Sequence, residues 1–579
     1  MIANQEINYT SDLIQKRDLV FFTGAGISIL SPSNLIMFND LQNKIIWALC
    51  QNLDNKLKQT YEVIYDEIDK DEAISDVAKK FIDIPPEYIF ECCKKDITCN
   101  NANSNYYELE PLNSFKKAKP NLNHLHLARF LLTEHIPAIL TTNFDLLIES
   151  GADKLSHSTK YNIQINKHWR WEHFKNKESP VGQYFKLHGC IEDFESIVMS
   201  LDDIGKRCIK QLPAFKYYLE NYHVFFAGYR GADLDIFSYL ETTQCKGIIW
   251  NGYTEDAIIP KVRHLLEKQK AKVIMGDVSG ILNEISLKLG LPKFNLDETQ
   301  RYPEINFLND FFLWADKIEP ISKIIILGDL WDYIGERKKA LTFFHSGYDL
   351  AQKSYNKHIQ NLCLSRLASI FYKINEYGEV KNICNLTLDN AKDFPVTLQL
   401  YEYIHSLQML GLVESHTDLK KSIELYRQAL AYQEKLEKID PLSRHKKAGI
   451  LINVANVFYR ANLFDDSEGW YKSALKIYDE FGDVQGRASI LACIGNILLK
   501  QEKYDDCLSY YKGAEYLFNE TGDIVKLSTS LQNISIAYFK NNNKKEAKRY
   551  AEKSLVYHEI ISDQEGCNKA KELLHLIND

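Results

Sequence analysis

Short apolar runs alternate with amphipathic stretches through the first half of the chain. The runs are Leu19-Val20-Phe21-Phe22, Ala138-Ile139-Leu140, Tyr184-Phe185-Lys186-Leu187, Val224-Phe225-Phe226-Ala227, Gly247-Ile248-Ile249-Trp250 and Lys272-Val273-Ile274. Each is β-branched or aromatic and is bounded by Gly, Asn or Asp. That is the pattern of strands buried on both faces, joined by helical crossovers. It predicts an α/β domain over residues 1–290, built on a doubly wound, Rossmann-like parallel sheet. Residues from about 45 to 120 hold no run of this kind and read as a mostly helical insertion, with the Asn-rich stretch 99–105 as a surface loop. Polar residues and two prolines between 291 and 309 mark a linker.

From about 310 the period changes to that of helices, and the pattern repeats. Gly482-Asp483 recurs as Gly522-Asp523, and Ser562-Asp563 follows at the same step of 40 residues. Small residues recur at Ala455, Gly495 and Ser535, and larger apolar ones at Phe458, Leu498 and Tyr538. A second-helix pattern of small, aromatic and small residues reads Ser467-Tyr471-Ala474, Cys507-Tyr511-Ala514 and, with Ala in the aromatic place, Ala547-Ala551-Ser554. Earlier units carry Gly328, Trp331, Ala340 and Phe344, then Ala368 with Phe371, then Ser422-Tyr426-Ala429. Six helix pairs result. The units resemble tetratricopeptide repeats in a long-helix form. The resemblance implies an all-α solenoid over 310–579, with a continuous core and a concave face free for a protein ligand.

Composition narrows the classes. The 579 residues carry a formal net charge of −8, which disfavours a general nucleic-acid binder, because phosphate binding wants a basic surface. The 12 cysteines form no CxxC pair, so neither a disulfide framework nor a structural zinc site is expected. The opening residues Met1 to Glu6 do not read as a signal peptide, and no apolar run approaches the ~20 residues needed to span a bilayer. A reduced, cytoplasmic protein is expected.

The candidate chemistry sits just past the apolar runs. Thr23-Gly24-Ala25-Gly26-Ile27-Ser28 follows the first one. Glycines at a strand–helix turn let backbone N–H groups approach a pyrophosphate, although a tight turn in any α/β protein can look the same. Thr141-Thr142-Asn143-Phe144-Asp145 follows the second, where polar side chains face the ligand crevice or cap the next helix. Lys186-Leu187-His188-Gly189-Cys190 offers a histidine whose ordinary pKa suits a general base. Gly228 in Ala227-Gly228-Tyr229-Arg230-Gly231 and Asp277 in Met275-Gly276-Asp277 mark two more turns at strand ends. Asp277 either lines an adenine pocket or simply turns the chain.

Taken together and in this order, the four motifs GAGIS, TTNFD, LHG and GYRGAD resemble the sirtuin superfamily over roughly residues 10–290, and most of all its bacterial antiphage-defence branch. The stretch from His188 through Ser196 to Asp203 is similar to that branch as well. The resemblance implies a sirtuin fold with NAD as substrate. It places Gly24, Ala25, Gly26 and Ser28 around the phosphates and ribose, with Thr142, Gly228 and Asp277 lining the same crevice. It puts Asn143 and Asp145 at the nicotinamide ribose and carboxamide and makes His188 the base. Departures matter too. After His188 only Cys190, Cys208 and Cys245 follow within the domain, so the four-cysteine zinc module of the deacylases has no counterpart and no metal is expected. The acyl-lysine segment and the Arg-containing loop after the first turn are missing also. Deacylation is therefore disfavoured, and cleavage of the nicotinamide–ribose bond keeps its residues. The resemblance further implies an abortive-infection effector and a homo-oligomer, its trigger a phage protein or partner subunit bound by the repeats. An ADP-ribosyltransferase and a non-catalytic NAD or ADP-ribose sensor are the alternatives.

Overall fold

A computed structural model describes residues 2–35, 44–46, 48–50, 86–98, 107–158, 166–168, 183–193, 196–198, 215–231, 236–237, 240, 243–254, 258–294, 307–521, 523–560 and 563–578. Of these, residues up to Glu319 form one compact unit and Pro320–Asp579 a second.

The first unit is built on seven parallel strands: β1 (Leu19–Thr23), β2 (Ala138–Thr141), β3 (Asn166–His168), β4 (Gln183–Lys186), β5 (His223–Ala227), β6 (Gly247–Gly252) and β7 (Lys272–Met275). Their order is β3-β4-β2-β1-β5-β6-β7. The six strands expected from the apolar runs are all present. Residues of β1, β2 and β4 are buried along their whole length, as strands covered on both faces must be. The seventh, β3, is polar Asn-Lys-His at the sheet edge, paired in register with Gln183–Phe185. It carries no apolar signal for a sequence reading to find.

Five helices of this unit matter for the site: α1 (Ile2–Gln15), α2 (Pro86–Thr98), α3 (Leu122–Leu132), α4 (Leu147–Ser158) and α5 (Pro260–Lys268). A sixth, α6 (Val278–Lys288), follows β7. One core cluster joins α1, α3 and α6 to the sheet through Ile14, Phe130, Leu131, Leu282 and Ile285 against Phe21, Ile139 and Phe225. The chain builds β2 to β4 on one side of β1 and then returns to place β5 on the other, which puts the order switch at the centre of the sheet. Ligands of doubly wound sheets bind at the carboxyl ends of strands at such a point.

The described part of the insertion is helical, in α2 and a 3₁₀ segment at Tyr107–Lys117. The expected loop at 99–105 lies outside the described residues, as does 295–306 of the expected linker. The start of that linker is held on the sheet unit. Arg129 donates to the Pro292 carbonyl at 2.6 Å and lies 4.0 Å over the Phe294 ring. Helix α7 (Phe307–Asp316) also belongs to the first unit, where Asp310 accepts from Ser114 and pairs with Lys117 at 3.2 Å.

The second unit is an α-solenoid of antiparallel helix pairs. Its first-helix members are α8 (Pro320–Tyr333), α10 (Lys357–Lys373), α12 (Val396–Glu414), α14 (Arg444–Arg460), α16 (Val484–Lys500) and α18 (Ile524–Lys540). The partners are α9 (Arg337–Lys353), α11 (Tyr377–Ala391), α13 (Leu419–Ile439), α15 (Phe464–Phe481), α17 (Tyr504–Thr521) and α19 (Lys544–Ile560), with α20 (Gln564–Asn578) closing the stack. The small residues do what their spacing promised. A Cβ on Gly328, Gly411 or Gly495 would lie 2.6–2.9 Å from the rings of Phe344, Tyr426 and Tyr511 respectively. Serines pin the same helix pairs, Ser422 Oγ to the Gly411 carbonyl at 2.7 Å and Ser467 Oγ to that of Ala455 at 2.8 Å. Among the described residues no helix is long and apolar enough to cross a membrane.

Candidate active site

Three loops at the carboxyl ends of β1, β2 and β5 meet at one point, and backbone packing decides their sequences. After β1 the chain enters a single 3₁₀ turn, Ala25–Ser28. Gly24 and Gly26 donate their amides to the carbonyls of Ala227 and Gly228, at 3.1 and 2.9 Å. Gly228 takes a positive φ of 61°, and a Cβ there would sit 2.5 Å from the Ile27 nitrogen. Cβ atoms on Gly24 or Gly26 would lie 2.8 Å from Gly228 backbone atoms. These three glycines therefore exist so that two turns can touch. The expectation that the amides of Gly24 and Gly26 serve a pyrophosphate changes accordingly: both are already used within the protein, and the glycines shape the crevice wall.

Beneath this turn lies a chain of buried polar groups. Ser28 Oγ lies 3.0 Å from His124 Nε2 and donates to Asp145 Oδ2 at 3.2 Å. Asn143 Nδ2 reaches the Gly24 carbonyl at 3.2 Å and Ser28 Oγ at 3.4 Å. Asp145 Oδ1 accepts the Leu147 amide at 2.9 Å, which starts α4. Ser28, His124 and Asp145 are all buried, whereas Asn143 is half-buried. Thr142 closes β1 against β2 with its amide on the Thr23 carbonyl at 3.2 Å.

His124 belongs to a polar helix start that carries no strand-end motif. Asn121 caps α3, accepting from the amides of Asn123 and His124, and its own amide donates to His124 Nδ1 at 3.1 Å. Asn121 and Asn123 both donate side-chain N–H groups to the Ile27 carbonyl, at 2.9 and 3.0 Å. The helix start thus grips the 3₁₀ turn from behind. Burial drives the His124 pKa down to about 4, so the ring is neutral near pH 7. Four close polar side chains in Asn121-Leu122-Asn123-His124-Leu125-His126 were the available signal, hidden because they open an otherwise apolar helix.

A second buried group supports the loop after β2 from below. Lys186, in the last position of β4, donates to the Asp145 carbonyl and pairs with Glu149 of α4 at 2.9 Å. Burial opposes the ammonium, but Glu149, Cys190 and Asp145 together hold its pKa above the ordinary lysine value. Burial pushes the Glu149 carboxyl up against the pull of Lys186.

His188 lies two residues beyond Lys186, as Asn143 lies two beyond Thr141, and Thr141 and Lys186 are register partners on adjacent parallel strands. Both candidates thus leave from the carboxyl ends of neighbouring parallel strands. The loops carrying them are tied together by Ile191 N to the Phe144 carbonyl at 3.0 Å, and the His188 carbonyl takes the Val198 amide at 3.0 Å. Gly189 has a φ of 86°, and a Cβ on it would lie 2.1 Å from the Ser196 carbonyl oxygen, so the histidine loop admits no side chain there.

Asp277 is set apart from this group. It is exposed and caps α6, its carboxylate accepting the Gly280 amide at 2.9 Å. Arg230 is exposed, and residues 199–203 and Asp233 lie outside the described residues. Among the described residues no group of three or more His, Cys, Asp or Glu side chains is placed to hold a metal ion.

Comparison with known proteins matches both halves. A family model described as a SIR2-like domain matches residues 137–246, which span β2 to β5, and one described as a tetratricopeptide repeat matches residues 486–555. No curated protein matches the chain. Among solved structures, BtubC (BKLC) from P. vanneervenii is 18% identical, covering 39% of this chain and 92% of its own, with a TM-score of 0.34. A Rap protein complexed with competence and sporulation factor is 15% identical, covering 52% of this chain and 92% of its own, with a TM-score of 0.33. The apo form of RapI is 17% identical, covering 45% of this chain and 71% of its own, with a TM-score of 0.36. The chain joins a SIR2-like domain, which is of an NAD-dependent enzyme kind, to C-terminal tetratricopeptide repeats, a protein-interaction module.

Proposed function

We propose that the chain is an NAD glycohydrolase that releases nicotinamide and ADP-ribose, controlled through its repeats. The observation that carries the reading is the cluster of Asn143, Asp145 and Ser28 at the carboxyl ends of β1 and β2, with His188 two residues past the end of the neighbouring strand β4.

In this reading the dinucleotide lies across the central strand ends, its phosphates along the Gly24–Ser28 turn past Ala25. The bond between nicotinamide nitrogen and ribose C1′ breaks, and its electron pair neutralises the pyridinium ring. Positive charge develops on the ribose as in glycoside cleavage. Asn143 orients the ribose hydroxyls and the attacking water. His188 accepts the proton that water loses as its oxygen bonds to C1′. Asp145 holds Ser28 and, with its remaining lone pairs, the departing carboxamide. Water plus NAD thus gives nicotinamide, ADP-ribose and a proton, with no metal in any step.

The repeats supply the control. Unrestrained NAD hydrolysis would kill its own cell, so a protein ligand such as a phage protein or partner subunit, bound by residues 320–578, releases the activity. This makes the chain an antiphage abortive-infection effector acting in the cytoplasm, assembled as a homo-oligomer. Nicotinamide release by the purified full-length protein tests the enzymatic part. Asn143→Ala and His188→Ala are each expected to abolish it with the fold intact. Full activity in His188→Ala would remove the histidine from the mechanism.

A further inference from the structure

The side-chain amide of Asn143 can sit in either of two orientations, and only one presents an acceptor to the crevice. The Gly24 carbonyl can only accept, so the nitrogen of Asn143, 3.2 Å away, must face it. The second hydrogen of that nitrogen points to Ser28 Oγ at 3.4 Å. Whether Ser28 accepts it depends on where the serine proton goes, and the neighbours decide this. His124 Nδ1 takes the Asn121 amide proton, so Nδ1 carries no hydrogen and Nε2 does. Nε2–H then donates to Ser28 Oγ across 3.0 Å. The serine proton is left for Asp145 Oδ2 at 3.2 Å. Ser28 now donates once and accepts twice, which exhausts its hydroxyl.

We propose that Ser28 and His124 are positioning residues for Asn143: the buried chain from the Asn121 amide through His124 and Ser28 to Asp145 locks the Asn143 nitrogen inward and its Oδ1 outward. No described protein group donates to Oδ1, and the residue is half-buried at the crevice. Asn143 therefore meets its ligand as an acceptor, taking an O–H from a ribose hydroxyl or from water. It does not donate to a ligand oxygen. An acceptor aimed at water leaves the water lone pair directed to C1′. A neutral His124 suits this task, since its duty is to hold a tautomer and not to move a proton. The inference rests on the NAD glycohydrolase reading for its kinetic consequence, but the hydrogen-bond chain itself is independent of it.

The test compares full-length wild type with Ser28→Ala, His124→Gln and His124→Ala. Each variant is checked by thermal melt, by nicotinamide release over a range of NAD concentrations, and by hydrogen exchange of the 142–147 segment. Ser28→Ala is expected to lower kcat by about 10–100-fold with little change in the KM for NAD, as when a supporting partner of a reactive side chain is lost. His124→Gln offers an N–H to Ser28 in place of the ring and is expected to keep most of the activity, whereas His124→Ala loses it. Exchange across 142–147 should quicken in Ser28→Ala and His124→Ala and stay near wild type in His124→Gln. A Ser28→Ala enzyme with unchanged kcat overturns the proposal, and so does equal loss in folded His124→Gln and His124→Ala. If wild type releases no nicotinamide, the glycohydrolase reading fails, and the exchange pattern alone then decides the hydrogen-bond chain. Equal exchange in all four proteins overturns it.

Discussion

Replacing Lys186 by Met removes the ammonium but keeps a long apolar stem in β4. The Lys186 side chain is fully buried and Glu149 is 4% exposed, so the 2.9 Å pair is shielded from water. Breaking a buried pair by deleting one partner costs about 3–5 kcal/mol, because the remaining charge keeps its desolvation cost without its compensation. Glu149, already raised by burial, would take up a proton, and the Asp145 carbonyl would lose its donor. At ~1.4 kcal/mol per tenfold change, the loss corresponds to roughly two to three and a half powers of ten in an unfolding equilibrium. Amide exchange of Ile139 and Leu140 in the central strand β2, measured in the full-length chain, reads that equilibrium for the sheet unit alone. Lys186→Met should speed this exchange by that factor. The double variant Lys186→Met with Glu149→Leu should recover most of the loss, since replacing both members of a buried pair by apolar groups is often near neutral. Unchanged exchange in the single variant, or additive losses in the double, would refute the assignment of Lys186 and Glu149 as one coupled unit.

His124 and His126 have pKa values lowered by burial to about 4, from 6.5. The unfolded chain binds the extra protons first, so stability is fully present above pH ~6.5 and is lost as pH falls towards 4, by on the order of 3 kcal/mol for His124; stability rising between pH 6.5 and 5 on acidification would contradict this. Gly228→Ala forces a side chain into positive φ and onto the Ile27 nitrogen, and should cost at least ~1–2 kcal/mol and abolish NAD turnover, checked by melt and nicotinamide release. Gly495→Val drives a branched side chain into the Tyr511 ring and should destabilise the repeat unit by about 1–3 kcal/mol, read as faster exchange in Val484–Lys500 with β2 untouched.

Much of this architecture is readable from the chain itself, for reasons that differ by element. The five inner strands announce themselves because both faces of each are covered, which demands unbroken apolar runs, and β7 carries an apolar run at the opposite edge. The edge strand Asn166–His168 escapes because an edge needs no such run. Small residues at a step of 40 give away the repeats, as at Gly495, which leaves room for the Tyr511 ring. Asn143, Asp145 and Ser28 are legible by motif and do meet. Their supports are not. A lysine inside a strand reads as a solvated charge until α4 supplies Glu149, and a histidine at a helix start reads as structural until its partner 96 residues away is placed beside it. The glycines of the first turn also change meaning in three dimensions, because their amides go to the β5 turn and not to a ligand.

The most direct test incubates the purified full-length protein with NAD and quantifies nicotinamide and free ADP-ribose in the same sample. Glycohydrolysis gives equal molar amounts of the two from wild type and neither from Asn143→Ala. Nicotinamide without matching free ADP-ribose would point to transfer onto an acceptor, and NAD that is bound yet recovered intact would contradict the account outright.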